Sequence, residues 1–136
     1  MVKVVLGLKG SGKTKKLIES INETVKNDAA SVVCIEKGNA LKYDVNYRCR
    51  LIDASEYQIE GYALLKGFIC GLHAGNFDIS HIYIDSFKRI IGEPTNEETD
   101  AFLQWCEKFG ADNKLNFTIS LSVDPAEATE TMKKYL

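Results

Sequence analysis

The chain reads as an α/β protein: three layers, an αβα sandwich around a mostly parallel sheet of about five strands. Three observations predict it. Short apolar runs rich in valine and isoleucine alternate with helical patterns along the whole length, as in βαβ units. The length, 136 residues, suits one domain spanning 1–136. Hydrophobic residues make up 45% and charged residues 26%, enough to fill a core without disulfide or metal staples.

The elements follow in order. Val2 to Leu6 is a short apolar run ending at glycine, the pattern of a buried strand. A glycine-rich segment, Gly7 to Thr14, leads into a helix with Leu17, Ile18, Ile21 and Val25 on one face. Ser31 to Ile35 is a second strand. Tyr47 to Ile52 is a third, where Arg48 and Arg50 alternate with Cys49 and Leu51, which predicts an edge strand with one wet face. Ser55 and Gln58 form a capping-box pattern for a helix carrying Ile59, Tyr62, Leu65, Ile69 and Leu72. His81 to Ile84 is an apolar strand that ends at Asp85.

Pro94 is a break, and Thr95 with Glu98 is a second capping box, opening a helix through Phe102, Trp105 and Phe109. Those aromatics are expected in the core, and Gly110 is expected to stop the helix. Leu115 to Val123 is the last strand, and Asp124-Pro125 is expected to open a final helix with Glu127 completing its cap. Ala63, Gly67, Gly71 and Gly75 recur every four residues, a ridge of minimal side chains. Interior helical glycines cost about 1 kcal/mol each relative to alanine. The expected reason is close packing on the domain's own sheet; the alternative is a subunit contact.

Composition excludes several classes. Seventeen basic residues against nineteen acidic give a net charge of −2, and no basic stripe of a nucleic-acid binder stands out. The most apolar segment, Ala63 to Leu72, is short and contains Lys66, so membrane insertion is not expected. The start, MVKVVLGLKG, lacks a cleavable-leader pattern, and a cytoplasmic location is expected. Cys34, Cys49, Cys70 and Cys106 form no CxxC pair, and His73 and His81 have no HExxH context, so neither zinc nor redox chemistry is indicated.

One motif carries chemistry. Gly7-Leu8-Lys9-Gly10-Ser11-Gly12-Lys13-Thr14 fits GxxxxGK[ST] completely. Glycines let the backbone curl so that successive N–H groups point inward at phosphate oxygens. The helix that follows adds its positive N-terminal end. Lys13 is placed to reach β- and γ-phosphates, and the Thr14 hydroxyl to ligate Mg²⁺. Gly7, Lys9, Gly10, Ser11, Gly12, Lys13 and Thr14 are therefore the candidate nucleotide-binding residues. Mg²⁺ prefers oxygen ligands and keeps several waters. A carboxylate at the tip of a neighbouring parallel strand suits it, and Asp85 closes the run His81-Ile82-Tyr83-Ile84.

On these motifs the chain resembles a P-loop NTPase and, more narrowly, the core of RecA-like ATPases. The run Ile84-Asp85-Ser86 is similar to that family's Walker B strand, which makes Asp85 the magnesium carboxylate. The family's catalytic glutamate follows the strand after the phosphate-loop helix, a position that falls on Glu36 here. The resemblance implies that Glu36 orients and polarises the attacking water, beside catalytic Lys13 and Asp85. The alternative for Glu36 is a solvated loop carboxylate. The family's sensor strand is buried on both faces. Here Thr118, Ser120, Ser122 and Asp124 alternate with Phe117, Ile119, Leu121 and Val123. Such alternation fits an edge strand, which suits a kinase- or GTPase-like order, or small hydroxyls lining the cleft. Ser122 and Asp124 lie nearest the carboxyl end, where ligands bind parallel sheets, and Ser122 joins the candidate set.

ATP is the expected nucleotide. Asn113-Lys114-Leu115-Asn116 begins like the guanine motif [NT]KxD but lacks its aspartate. Three functions stay open: Mg²⁺-dependent ATP hydrolysis coupled to a partner or switch, a non-hydrolysing nucleotide-binding module, and a small-molecule kinase. A protein partner or homo-oligomer is compatible with each. A second copy is one conceivable source of Arg48, Arg50 or Arg89 at the phosphates.

Overall fold

A computed structural model describes residues 1–136 and contains five strands in one sheet. They are β1 (Val2–Leu6), β2 (Val32–Glu36), β3 (Cys49–Asp53), β4 (His81–Ile84) and β5 (Asn116–Leu121). The order across the sheet is β1-β5-β4-β2-β3, and every neighbouring pair is parallel. The α/β architecture expected from the sequence is present. Helices α1 (Lys13–Thr24), α2 (Gly61–Gly75), α3 (Phe87–Ile91), α4 (Asn96–Asn113) and α5 (Glu130–Lys134) complete it.

The sheet separates two apolar clusters. On one face Leu17 and Ile21 of α1 and Val25 just after it pack with Val32, Cys34, Cys49 and Tyr83, and Leu41 and Val45 belong to the same cluster. On the other, Leu65 and Ile69 of α2 and Phe102, Leu103 and Cys106 of α4 pack with Val33, Ile35, Ile82, Ile84, Phe117 and Ile119. Helices thus cover both faces, which makes three layers. The buried Tyr83 hydroxyl meets those of Ser20 at 3.0 Å and Thr24 at 2.8 Å, pinning α1 to β4.

β3 is an edge strand, as predicted, with Arg50 exposed. It starts at Cys49 because Asn46 holds the preceding residues in a turn: its side chain accepts from the Arg48 N–H at 2.9 Å and its carbonyl from the Cys49 N–H at 3.0 Å. The outer edge of β1 is partly covered, since the Val4 N–H donates to the Tyr135 carbonyl at 2.8 Å. β5 is not an edge strand. It lies between β1 and β4, with Thr118 and Ser120 both buried. Its large residues fill the core on the α4 side, and its small hydroxyls face the α1 side.

Several helix boundaries differ from expectation. Ser55 does not cap α2. Asp53 captures the Ser55 N–H at 2.9 Å and hydroxyl at 2.7 Å, closing a 3₁₀ turn over Ala54–Tyr57. Gln58 then adopts φ 55°, and α2 starts only at Gly61. The Thr95–Glu98 capping box forms as predicted. Gly110 does not stop α4, which runs to Asn113 and turns at Lys114 with φ 55°. At its other end the chain Asp124-Pro125 makes a 3₁₀ turn, and α5 begins at Glu130 with Thr129 as its cap, so Glu127 plays no such part.

The glycine ridge of α2 is not packed on the sheet either. Ala63, Gly67, Gly71 and Gly75 are exposed, and a Cβ added at any of the three glycines meets nothing within 4 Å. The sheet is held instead by Leu65 and Ile69 on the opposite side of the helix. Gly110 is different: a Cβ there would lie 2.6 Å from the Leu115 carbonyl oxygen. Gly67→Ala should therefore raise stability by about 0.5–1 kcal/mol. Gly110→Ala should lower it by about 1–3 kcal/mol, as overpacking does. Urea unfolding of the two variants checks both signs.

Candidate functional site

β1 ends at Leu6, but its hydrogen bonding continues one residue further, where the Gly7 N–H donates to the Leu121 carbonyl at 3.3 Å. This tethers the start of the loop to β5. The loop then folds back on itself. The Ser11 N–H donates to the Leu8 carbonyl at 3.0 Å, and a Cβ on Gly7 would fall 2.0 Å from the Ser11 hydroxyl. Gly10 and Gly12 sit at φ 85° and 86°, in the left-handed region that glycine enters at little cost. α1 begins immediately after Gly12 with no side-chain cap and no acidic residue in its first turn. Its first backbone N–H groups lack a side-chain acceptor, the arrangement that favours an anion.

The loop and three neighbouring segments enclose a cavity of about 430 Å³ at the carboxyl end of the sheet. Lys9, Lys13 and Thr14 line one side. Asp85 and Ser86, with Lys88 and Arg89 of α3, line another, and Ser120 and Ser122 complete it from β5 and its extension. Four cations face one carboxylate, a local surplus of three positive charges in a chain of net charge −2. Lys88 also lies 3.7 Å from Glu93, an exposed pair worth little.

Asp85 is buried at the tip of β4, and its N–H donates to the Ile35 carbonyl at 2.9 Å. The Ser120 hydroxyl donates to its carboxylate at 2.5 Å, fixing the side chain's orientation. This is what the Ser/Thr alternation of β5 does: a small hydroxyl on an interior strand fits under Asp85 where a large residue would fill the cleft. Ser86 turns sharply, at φ 58°, and directs the chain into α3. A non-glycine residue in that region stores strain of about 1–3 kcal/mol. The turn carries Lys88 and Arg89 to the cavity that holds Lys13.

The expected residues are thus brought together, with one exception. Gly7, Gly10, Ser11 and Gly12 shape the loop, while Lys9, Lys13, Thr14, Asp85 and Ser122 line the cleft. Glu36 does not line it. The β2–β4 register pairs Ile35 with Ile84, so Glu36 and Asp85 are side by side one residue further on. The Glu36 carboxyl opens instead into a neighbouring cavity that shares no lining residue with the cleft. Burial pushes that carboxyl above its ordinary range; the Leu41 and Ala40 backbone amides act against the rise, and the charges of Asp85 and Asp53 add to it. Ser120, Lys88 and Arg89 were not singled out as members of one site in cis. For the last two a readable signal exists, two adjacent cations one residue beyond Asp85-Ser86.

Asn113 and Lys114 precede β5, at the end of the sheet opposite the cleft. They are a helix terminus, not a base-reading loop. No helix is long and apolar enough to cross a membrane. Comparison with protein-family models and with curated protein sequences returns no match.

Proposed function

We propose that this chain binds the triphosphate of a magnesium nucleotide, ATP by preference, as a P-loop protein of RecA-like type, and hydrolyses it to drive a partner or a conformational switch. One observation carries the reading: a glycine-shaped loop, an uncapped helix N-terminus and a buried strand-tip carboxylate converge on one cavity with surplus positive charge. The loop N–H groups left without a partner, those of Lys9, Gly10, Gly12, Lys13 and Thr14, cradle the phosphates, and Lys13 neutralises the β- and γ-oxygens. Thr14 and Asp85 form an all-oxygen donor pair in the same cavity, which fits Mg²⁺ with its retained waters. The ion, when bound, neutralises phosphate charge. Ser120 holds Asp85 in place, and Lys88 and Arg89 add positive charge from the same chain, so the reading needs no arginine from a second copy.

The position of β5 supports the RecA-like type. It separates the loop strand β1 from the Asp85 strand β4 and is buried on both faces, as the resemblance implies for a sensor strand. The reading goes with a cytoplasmic location, where magnesium nucleotides are abundant. The test is calorimetric titration of Mg²⁺-ATP and Mg²⁺-GTP into the protein, followed by an assay of released phosphate. Micromolar binding with a preference for ATP is expected, with slow phosphate release. A folded protein that binds neither nucleotide overturns the proposal. Binding without release leaves the non-hydrolysing module.

A second reading has one observation in its favour. A cavity of about 250 Å³ shares Phe87, Lys88 and Ser122 with the cleft and carries Asp124 and Glu127 on its wall. This is the kind of space a phosphoryl acceptor needs. Phosphate transfer to a panel of nucleosides and sugars in place of water would favour it.

A further inference from the structure

The carboxyl ends of β2 and β3 open into a separate cavity of about 350 Å³. Its walls carry both signs of charge. Glu36, Asp53 and Glu56 bring carboxyl groups, and Lys42 and Arg50 bring cations. None of the five forms an ion pair within the chain.

Glu36 is the decisive residue. It is 2% exposed, yet its carboxyl receives no hydrogen bond from any side chain. A buried carboxyl with no cation paired to it is costly unless something compensates it. Only the Leu41 and Ala40 backbone amides act in its favour. Asp53, in contrast, is organised in advance. It accepts from the Gly38 N–H at 2.9 Å and from the Ser55 hydroxyl at 2.7 Å, and these bonds hold its carboxyl below the ordinary range. Arg50 stands on the exposed edge strand with its guanidinium uncommitted. The cavity's lining therefore carries a fixed carboxylate and uncommitted cations, with Leu51, Ile52 and Tyr57 as its apolar residues.

We propose that this cavity binds a small zwitterion of the amino-acid type, its ammonium group against Glu36 and Asp53 and its carboxylate against Arg50 and Lys42. Opposite charges in one pocket favour a ligand with both signs and leave one pole unpaired against a ligand with one. The site is a separate space from the nucleotide cleft, since the two cavities share no lining residue.

The experiment is calorimetric titration of the intact chain with the proteinogenic amino acids one at a time, with ethylamine and acetate as single-charge controls. At least one amino acid is expected to bind saturably at millimolar concentration or below, and neither control to compete with it. Glu36→Gln and Arg50→Gln should each weaken binding by about tenfold or more, the worth of a hydrogen bond to a charged group. Arg50 is exposed and Glu36→Gln removes a buried charge, so both variants keep the fold. Lys13→Ala should retain amino-acid binding, which separates this site's failure from that of the nucleotide cleft. The proposal is overturned if no amino acid binds, if the controls bind equally well, if neither variant weakens binding, or if Lys13→Ala abolishes it.

Discussion

Lys13→Ala should weaken Mg²⁺-ATP binding by about a hundredfold or more, because the ammonium group makes charge-assisted contacts worth about 1.5–3 kcal/mol each and serves two phosphates. Stability should stay within about 0.5 kcal/mol of the wild type, as for a substitution away from the core. Lys13 is half-buried beside the cleft and makes no ion pair within the chain, so its removal leaves no protein group stranded. Lys13→Arg should not restore affinity, since a planar fork does not replace a compact point charge on a flexible stem. Lys88 and Arg89 are exposed, and water and salt screen them, so their alanine variants should lose less and lose it mainly at low ionic strength. Calorimetry at two salt concentrations reads all four variants. Equal affinity in Lys13→Ala and wild type would remove the loop from the site.

The second large effect concerns Glu36. Burial raises its carboxyl above the ordinary value near 4.5, so above that value the folded chain retains a proton that the unfolded chain has released. Stability then falls as pH rises from the ordinary value through the raised one. Each tenfold change in the acid constant is worth about 1.4 kcal/mol. Glu36→Gln removes this penalty. It should be more stable than the wild type at neutral pH, and the difference should vanish as pH falls below the ordinary value. Urea midpoints measured across the acid range test the sign. A variant that is less stable by a constant amount at every pH would mean that the carboxyl's hydrogen bonds outweigh its burial.

These two residues also mark what can be read from a chain and what cannot. The turn from Gly7 to Thr14 was legible because its geometry is local: backbone curvature needs glycines at fixed spacing, and the helix follows at once. Asp85 was legible for the same reason, as a carboxylate ending an apolar strand. Glu36 was placed with them by its position after the second strand, and the parallel register does set it beside Asp85. Its cavity, however, is made by the turn after β2 and by β3, whose joint geometry no local pattern describes. Ser120 was visible only as one of several alternating hydroxyls, and its part in holding Asp85 required β5 to lie next to β4.

Helix ends divide along the same line. Thr95 and Glu98 satisfy each other across one turn, so that cap was readable. Ser55 looked equally good, but Asp53 two residues earlier offered a stronger acceptor and took the turn. The exposed ridge of α2 depended on which side of an evenly apolar helix met the sheet, and that was settled by Leu65 and Ile69.

By itself, then, the amino-acid sequence determined the alternation of strands and helices, the parallel α/β class and the glycine-shaped turn between β1 and α1, because each follows from hydrophobic period or from backbone freedom within a few residues. Tertiary structure alone decided the strand order, the burial of β5, the joining of Lys88 and Arg89 to the cleft, and the separate cavity of Glu36. Those depend on contacts between segments far apart along the chain, whose pairing is set by how the whole sheet packs between its helices and not by any one segment's own preference.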